Sequence, residues 1–206
     1  MKRLSLAIVF ACITLTLAAQ DIIKVNFKGS APTISDFAWA FLSAYEYDEE
    51  EDVLNEARSS MKNVWIMYHN GESLPKGETL TIDKKNGYVL NEYRQDGGYL
   101  TRIEMCYWNE SDGRHKLFAY NVRCFKDGKC EPGQFDGFTF YRYDNTTRKM
   151  TYCDPPGFTQ VYGTDDGARV SYALPRTGKD ITYTAWYENG TKKQKTLKWN
   201  GRRFRM

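Results

Sequence analysis

Nucleophilic catalysis needs a serine or cysteine beside a base, and this 206-residue chain has only two histidines to supply one, His69 and His115. His69 stands next to Asn70-Gly71 and His115 closely follows Asp112-Gly113, so both are expected at exposed hairpin corners. There is no GxSxG, no HExxH and no glycine-rich phosphate loop. Glycoside hydrolysis would need two carboxylates facing one sugar, and Glu92 and Glu104 are candidates. With 26 acidic residues in the chain, however, no pair stands out. Neither a metal site nor a cofactor is expected, because no CxxC pair accompanies the two histidines. The residues favour a non-catalytic protein, with a carboxylate-pair hydrolase as the rival and a structural component of an envelope assembly as a third reading.

Binding chemistry has more residues behind it. Trp108 and Trp186 fall on the nominally polar faces of their strands, where aromatics serve as platforms for sugar rings or protein partners. The alternative is a sheet covered on both faces, which would make both tryptophans core. Charge is segregated as well. Residues 46–56 carry seven acids and no base, whereas residues 191–206 carry Lys192, Lys193, Lys195, Lys198, Arg202, Arg203 and Arg205 with no acid. Lys192, Lys193 and Lys195 then form an anionic-ligand surface, or else face the acidic helix or solvent. The whole chain is nearly balanced at +3, and without Lys2 and Arg3 it is +1. No nucleic-acid partner is expected from that balance. The partner is a protein or a glycan.

Met1 to Gln20 reads as a secretory signal peptide, with Lys2 and Arg3, an apolar stretch Leu4 to Leu17, and the small-residue exit Ala18-Ala19-Gln20. Val9-Phe10-Ala11-Cys12 approximates a lipoprotein box, but Phe10 fits poorly and apolar sequence continues past Cys12. Soluble export, secreted or periplasmic, is the expectation. No other stretch is long enough to span a bilayer. Export makes the four remaining cysteines candidates for disulfides. A three-residue loop Lys126-Asp127-Gly128 would set Cys124 opposite Cys130, leaving Cys106 to pair with Cys153.

The elements that position these residues are marked by turn chemistry. Asn-Gly occurs at 70, 86, 189 and 200, and Asp-Gly at 96, 112, 127, 136 and 166, between runs rich in Tyr, Thr, Val, Ile, Phe and Trp. That pattern predicts an antiparallel β meander over residues 62–206, sandwich or barrel-like, including strands at 62–69 and 158–163. Ahead of it, residues 21–34 hold an edge strand and a linker. Residues 35–61 are helical, with Thr33 and Asp36 as a capping box and Phe37, Ala38, Phe41, Leu42 and Tyr45 as an apolar stripe. A second helix is expected from Glu49 to Met61. The fold class is α+β, an N-terminal helix or helix pair followed by the meander. Ile103–Tyr107 echoes Tyr183–Tyr187, which would fit two duplicated four-stranded units.

The leader ending Ala18-Ala19-Gln20-Asp21 and the closing Leu197-Lys198-Trp199-Asn200-Gly201 resemble those of small exported proteins of Bacteroidota-type bacteria. The resemblance covers the two ends and the general style of the middle. It implies a Gram-negative envelope or extracellular setting and brings no active site with it.

Overall fold

The computed structural model describes residues 22–44, 53–131 and 137–206. The proposed leader and most of the acidic run lie outside them. The class is α+β, with two helices and antiparallel sheets among the described residues. Strand β1 (Ile22–Lys24) precedes helices α1 (Ile34–Ser43) and α2 (Val53–His69). The meander follows as β2 (Glu78–Asp83), β3 (Tyr88–Arg94), β4 (Tyr99–Asn109), β5 (His115–Lys126), β6 (Lys129–Cys130), β7 (Gly137–Asp144) and β8 (Lys149–Tyr152). The last four strands are β9 (Arg169–Ala173), β10 (Ile181–Trp186), β11 (Lys192–Trp199) and β12 (Phe204–Arg205).

An eight-stranded sheet runs β1-β8-β7-β5-β4-β3-β2, with β6 added beside β5, and a four-stranded sheet runs β12-β11-β10-β9. The strands therefore divide eight and four, and not into two units of four: β7 and β8 extend the first sheet instead of joining β10 and β11. The edge strand predicted near the N-terminus is β1, which closes the large sheet against β8 with Ile22 opposite Thr151.

Side-chain alternation along the large sheet builds two cores. Ile103 and Met105 of β4, Phe118, Tyr120 and Val122 of β5, and Tyr141 and Tyr143 of β7 face the helices. They meet the predicted stripe of α1, where Phe41 lies 4.8 Å from Tyr120 and Phe37 lies 5.0 Å from Tyr143, centroid to centroid. The Asp36 carboxylate accepts the Thr33 N–H and hydroxyl, both at 2.7 Å, which caps that helix. Cys106, Trp108, Leu117, Ala119, Phe138 and Phe140 face the other way, onto Tyr172, Ile181, Tyr183, Ala185, Leu197, Trp199 and Phe204 of the small sheet. The order is helices, large sheet, small sheet. Both faces of the large sheet are covered.

Helix α2 overturns the strand expected at 62–69. Val64, Trp65 and Ile66 suit strands, but Ala57, Met61, Val64 and Trp65 are buried at the spacing of one helix face, and tertiary burial overrides propensity. Asn70-Gly71 consequently ends a helix instead of turning a hairpin. Gly71 has φ +73°, its N–H donates to the Tyr68 carbonyl, and the Glu72 N–H donates to the Met67 carbonyl, a Schellman motif. The Asn-Gly and Asp-Gly pairs at 86, 96, 112, 127, 189 and 200 do join successive strands, as expected. No strand forms at 158–163, where the one ladder contact is an isolated bridge from Gly163 to Arg169.

The disulfide expectation fails on register. Asp127 and Gly128 take φ +51° and +75°, giving a two-residue type I′ turn in place of a three-residue loop. Cys130 then lies opposite Phe125, not Cys124, so the two cysteines point to opposite faces. Cys106 lies opposite Ala119, Ala119 opposite Phe140, and the Cys153 N–H bonds the Phe140 carbonyl. Three strand spacings, about 14 Å, separate Cys106 from Cys153, beyond the reach of a disulfide. No disulfide joins any of the four.

Candidate functional site

Trp108 is not a surface platform. It is 4% exposed, packs against Phe140, Trp199 and Phe204, and donates its indole N–H to the Lys179 carbonyl at 2.9 Å. Burial of both sheet faces makes it core.

Trp186 has a different setting. At the end of β10 it is half-buried, its N–H donates to Ser171 Oγ at 2.8 Å, and its ring meets Phe125 edge-on at 5.9 Å. Lys192, opposite it across the hairpin, holds its Nζ 4.3 Å from the ring centroid. Both residues line a cleft of about 200 Å³. Lys129 and Glu131 from beyond the β5–β6 turn, Arg169 from β9 and Glu188 from the β10–β11 loop complete its rim. Arg169 pairs with Glu131 at 2.9 Å across the mouth. Trp186 and Lys192 carry a signal in the sequence. Lys129, Glu131 and Arg169 carry none, because up to 63 positions separate Lys129 from Lys192 and only the packing of the two sheets assembles them.

Lys193 and Lys195 lie outside this cleft, exposed on β11. Lys193 sits over Tyr187 at 4.9 Å, and the Tyr187 hydroxyl raises its pKa. The buried side of α2, from Ala57 on, packs on the far side of the large sheet from β11, and the acidic side chains of residues 46–56 lie outside the described residues.

The hydrolase carboxylates are held in ion pairs. Glu104, 3% exposed, is 2.9 Å from Arg123 and accepts from Tyr88 and Asn121 between the two sheets. Glu92 pairs with Arg102 at 2.7 Å. Neither lines the Trp186 cleft.

His69 stacks on Trp65 at the end of α2, so it is not a hairpin residue. His115 does follow a β-turn, with Nδ1 2.6 Å from Asp112 Oδ2, and that hydrogen bond holds the Asp112 carboxyl well below the usual range. Glu110, Asp112 and His115 could each offer an atom to a cation, all within 4.8 Å. Arg142 already fills that role. It forks onto Glu110 at 2.8 and 2.6 Å and reaches Asp112 at 3.3 Å, so one guanidinium bridges the two carboxylates.

No protein-family model, curated protein or solved structure matches this chain. Among the described residues, no helix is long and apolar enough to cross a membrane.

Proposed function

We propose that this chain is an exported, non-catalytic binding protein for a protein or glycan partner, and that the Trp186 cleft is its point of contact. The observation that carries this reading is a half-buried indole in a concave site rimmed by both signs of charge. An apolar plate beside donors and acceptors suits a sugar ring or an aromatic or aliphatic anchor from a protein. The rim lysine that now lies over the ring would swing aside as a ligand stacked there. Export rests on the leader pattern of Met1 to Gln20.

The test immobilises the protein, exposes it to Gram-negative envelope extracts and to a glycan array, and repeats both with Trp186→Ala. Saturable binding that falls at least tenfold in the variant is the expected result. Undiminished binding by Trp186→Ala would move the site elsewhere, and no retained ligand from either source would remove the binding reading.

A further inference from the structure

Among the described residues, strand β11 is paired along one side only for most of its length. Strand β12 covers it at Lys198 and Trp199, while Lys192, Lys193, Gln194, Lys195 and Thr196 are all exposed. The hydrogen-bond parity shows which backbone groups are left. Tyr187 N–H donates to the Thr191 carbonyl, and Trp199 N–H reaches Asp180 next to β10, so odd-numbered residues bond toward β10. Asn200 N–H donates to Arg203 in the direction of β12. The N–H and C=O groups of Lys192, Gln194 and Thr196 therefore point out of the open edge, over roughly 13 Å.

From this edge we infer that β11 accepts an extended acidic peptide segment as an added strand. Charge decides the occupant. Residues 191–206 contain seven basic side chains and no acid, and Lys193 and Lys195 stand on one face two positions apart. A strand laid alongside would place its own side chains opposite them, and carboxylates at alternate positions complete those pairs. A second copy presenting the same edge would set lysine against lysine, so the edge rejects itself while keeping its backbone available. Lys192 also lines the Trp186 cleft, so a strand added along β11 runs into that cleft at its end, where one side chain can anchor. The inference rests on the binding reading and specifies the partner as a protein segment, not a glycan.

The probe is a fluorescein-labelled ten-residue peptide alternating Thr and Glu, followed by anisotropy. Controls are the Thr-Lys peptide, the Thr-Glu peptide N-methylated at every residue, and polygalacturonate as an anionic glycan. The Thr-Glu peptide is expected to bind saturably and more weakly as salt rises from 50 to 300 mM. Binding should fall at least tenfold for the N-methylated peptide, for the Lys193→Glu/Lys195→Glu protein and for Thr196→Pro. Thr196→Pro removes an outward N–H and leaves the β10 ladder intact, so its thermal midpoint should stay near that of the parent. No saturable binding of Thr-Glu, or full binding after N-methylation, overturns strand addition whatever the variants do. Polygalacturonate bound equally by Thr196→Pro and by the parent, with no peptide binding, would sink the added strand and leave the binding reading standing.

Discussion

Trp108 and Trp186 occupy equivalent-looking positions in their strands, but substitution should separate them sharply. Trp108 is enclosed by three aromatic rings and its N–H is bonded, so Trp108→Ala opens a cavity between the sheets and should cost about 3–5 kcal/mol. Trp186→Ala gives up a half-buried ring, its edge contact with Phe125, the hydrogen bond to Ser171 and the Lys192 contact, and about 1–2 kcal/mol is expected. Urea denaturation of the two variants checks both values; equal losses would mean that Trp186 is structural too. Cys153 carries a pH prediction. Burial pushes its pKa up to about 12, against about 8.5 for a free thiol. The folded protein therefore keeps a proton that the unfolded chain releases, and this contribution to stability is lost as pH rises from about 8.5 toward 12. Iodoacetamide at pH 8.5 should alkylate native Cys153 at least a hundredfold more slowly than glutathione. A rate within tenfold of glutathione would show an accessible thiolate instead.

The elements depend on close approaches as much as on turns. At Gly157 (φ +78°) an added Cβ would come 2.1 Å from the Phe204 carbonyl oxygen, and the Phe204 N–H bonds Pro156 at 2.9 Å. Gly157→Ala must displace β12 and withdraw the fully buried Phe204 from Trp108 and Trp199, at a cost of about 2–4 kcal/mol. Gly71→Ala meets open space, and its positive φ alone should cost about 1 kcal/mol. Thermal midpoints of the two variants decide the matter, and equal shifts would mean that the loop at Gly157 does not hold β12. The two glycines also mark how far the sequence could be read. The dipeptide code placed six hairpins, because a positive φ between strands is a local requirement. It misplaced Asn70-Gly71, because the same backbone conformation ends a helix and only the spacing of Ala57, Met61, Val64 and Trp65 tells the two apart. The disulfide pairing failed for a related reason: one residue more or less in a turn reverses every side chain that follows it. Of the candidate site, Trp186 was legible as an aromatic on a polar strand face and Lys192 as part of a basic run, but not as partners, whereas Glu131 and Arg169 come together only through the packing of one sheet on the other.

At the scale of the molecule, the large sheet is shared by two cores, and Glu104 is the polar group placed between its second face and the small sheet. The run Ile103-Glu-Met-Cys-Tyr-Trp108 is nearly all apolar, the pattern of a strand buried on both sides, but Glu104 and Arg102 gave it the look of a strand with one wet face. Glu104 is retained there by a complete set of partners. Arg123 and Tyr88 hold Oε1, while Asn121 and the Leu174 N–H meet Oε2, and Asn121 also donates to the Tyr172 carbonyl. The carboxylate thus ties β3, β4 and β5 of one sheet to β9 and its continuation in the other. Glu104→Ala leaves Arg123, its side chain 12% exposed, without its main counter-charge and should cost about 3 kcal/mol. Its effect should also be uneven across the layers. Trp65 lies in the helix-side core, whereas Trp108 and Trp199 lie between the sheets. In the parent, near-ultraviolet dichroism, tryptophan fluorescence and far-ultraviolet dichroism should report one coincident urea transition, because neither core can open without exposing the shared sheet. In Glu104→Ala the fluorescence transition should precede the loss of far-ultraviolet signal, as the small sheet lifts from Trp108 while the helices still cover the opposite face. Coincident transitions in the variant, shifted together, would mean that apolar packing alone registers the two sheets and that the carboxylate cluster only fills the space between them.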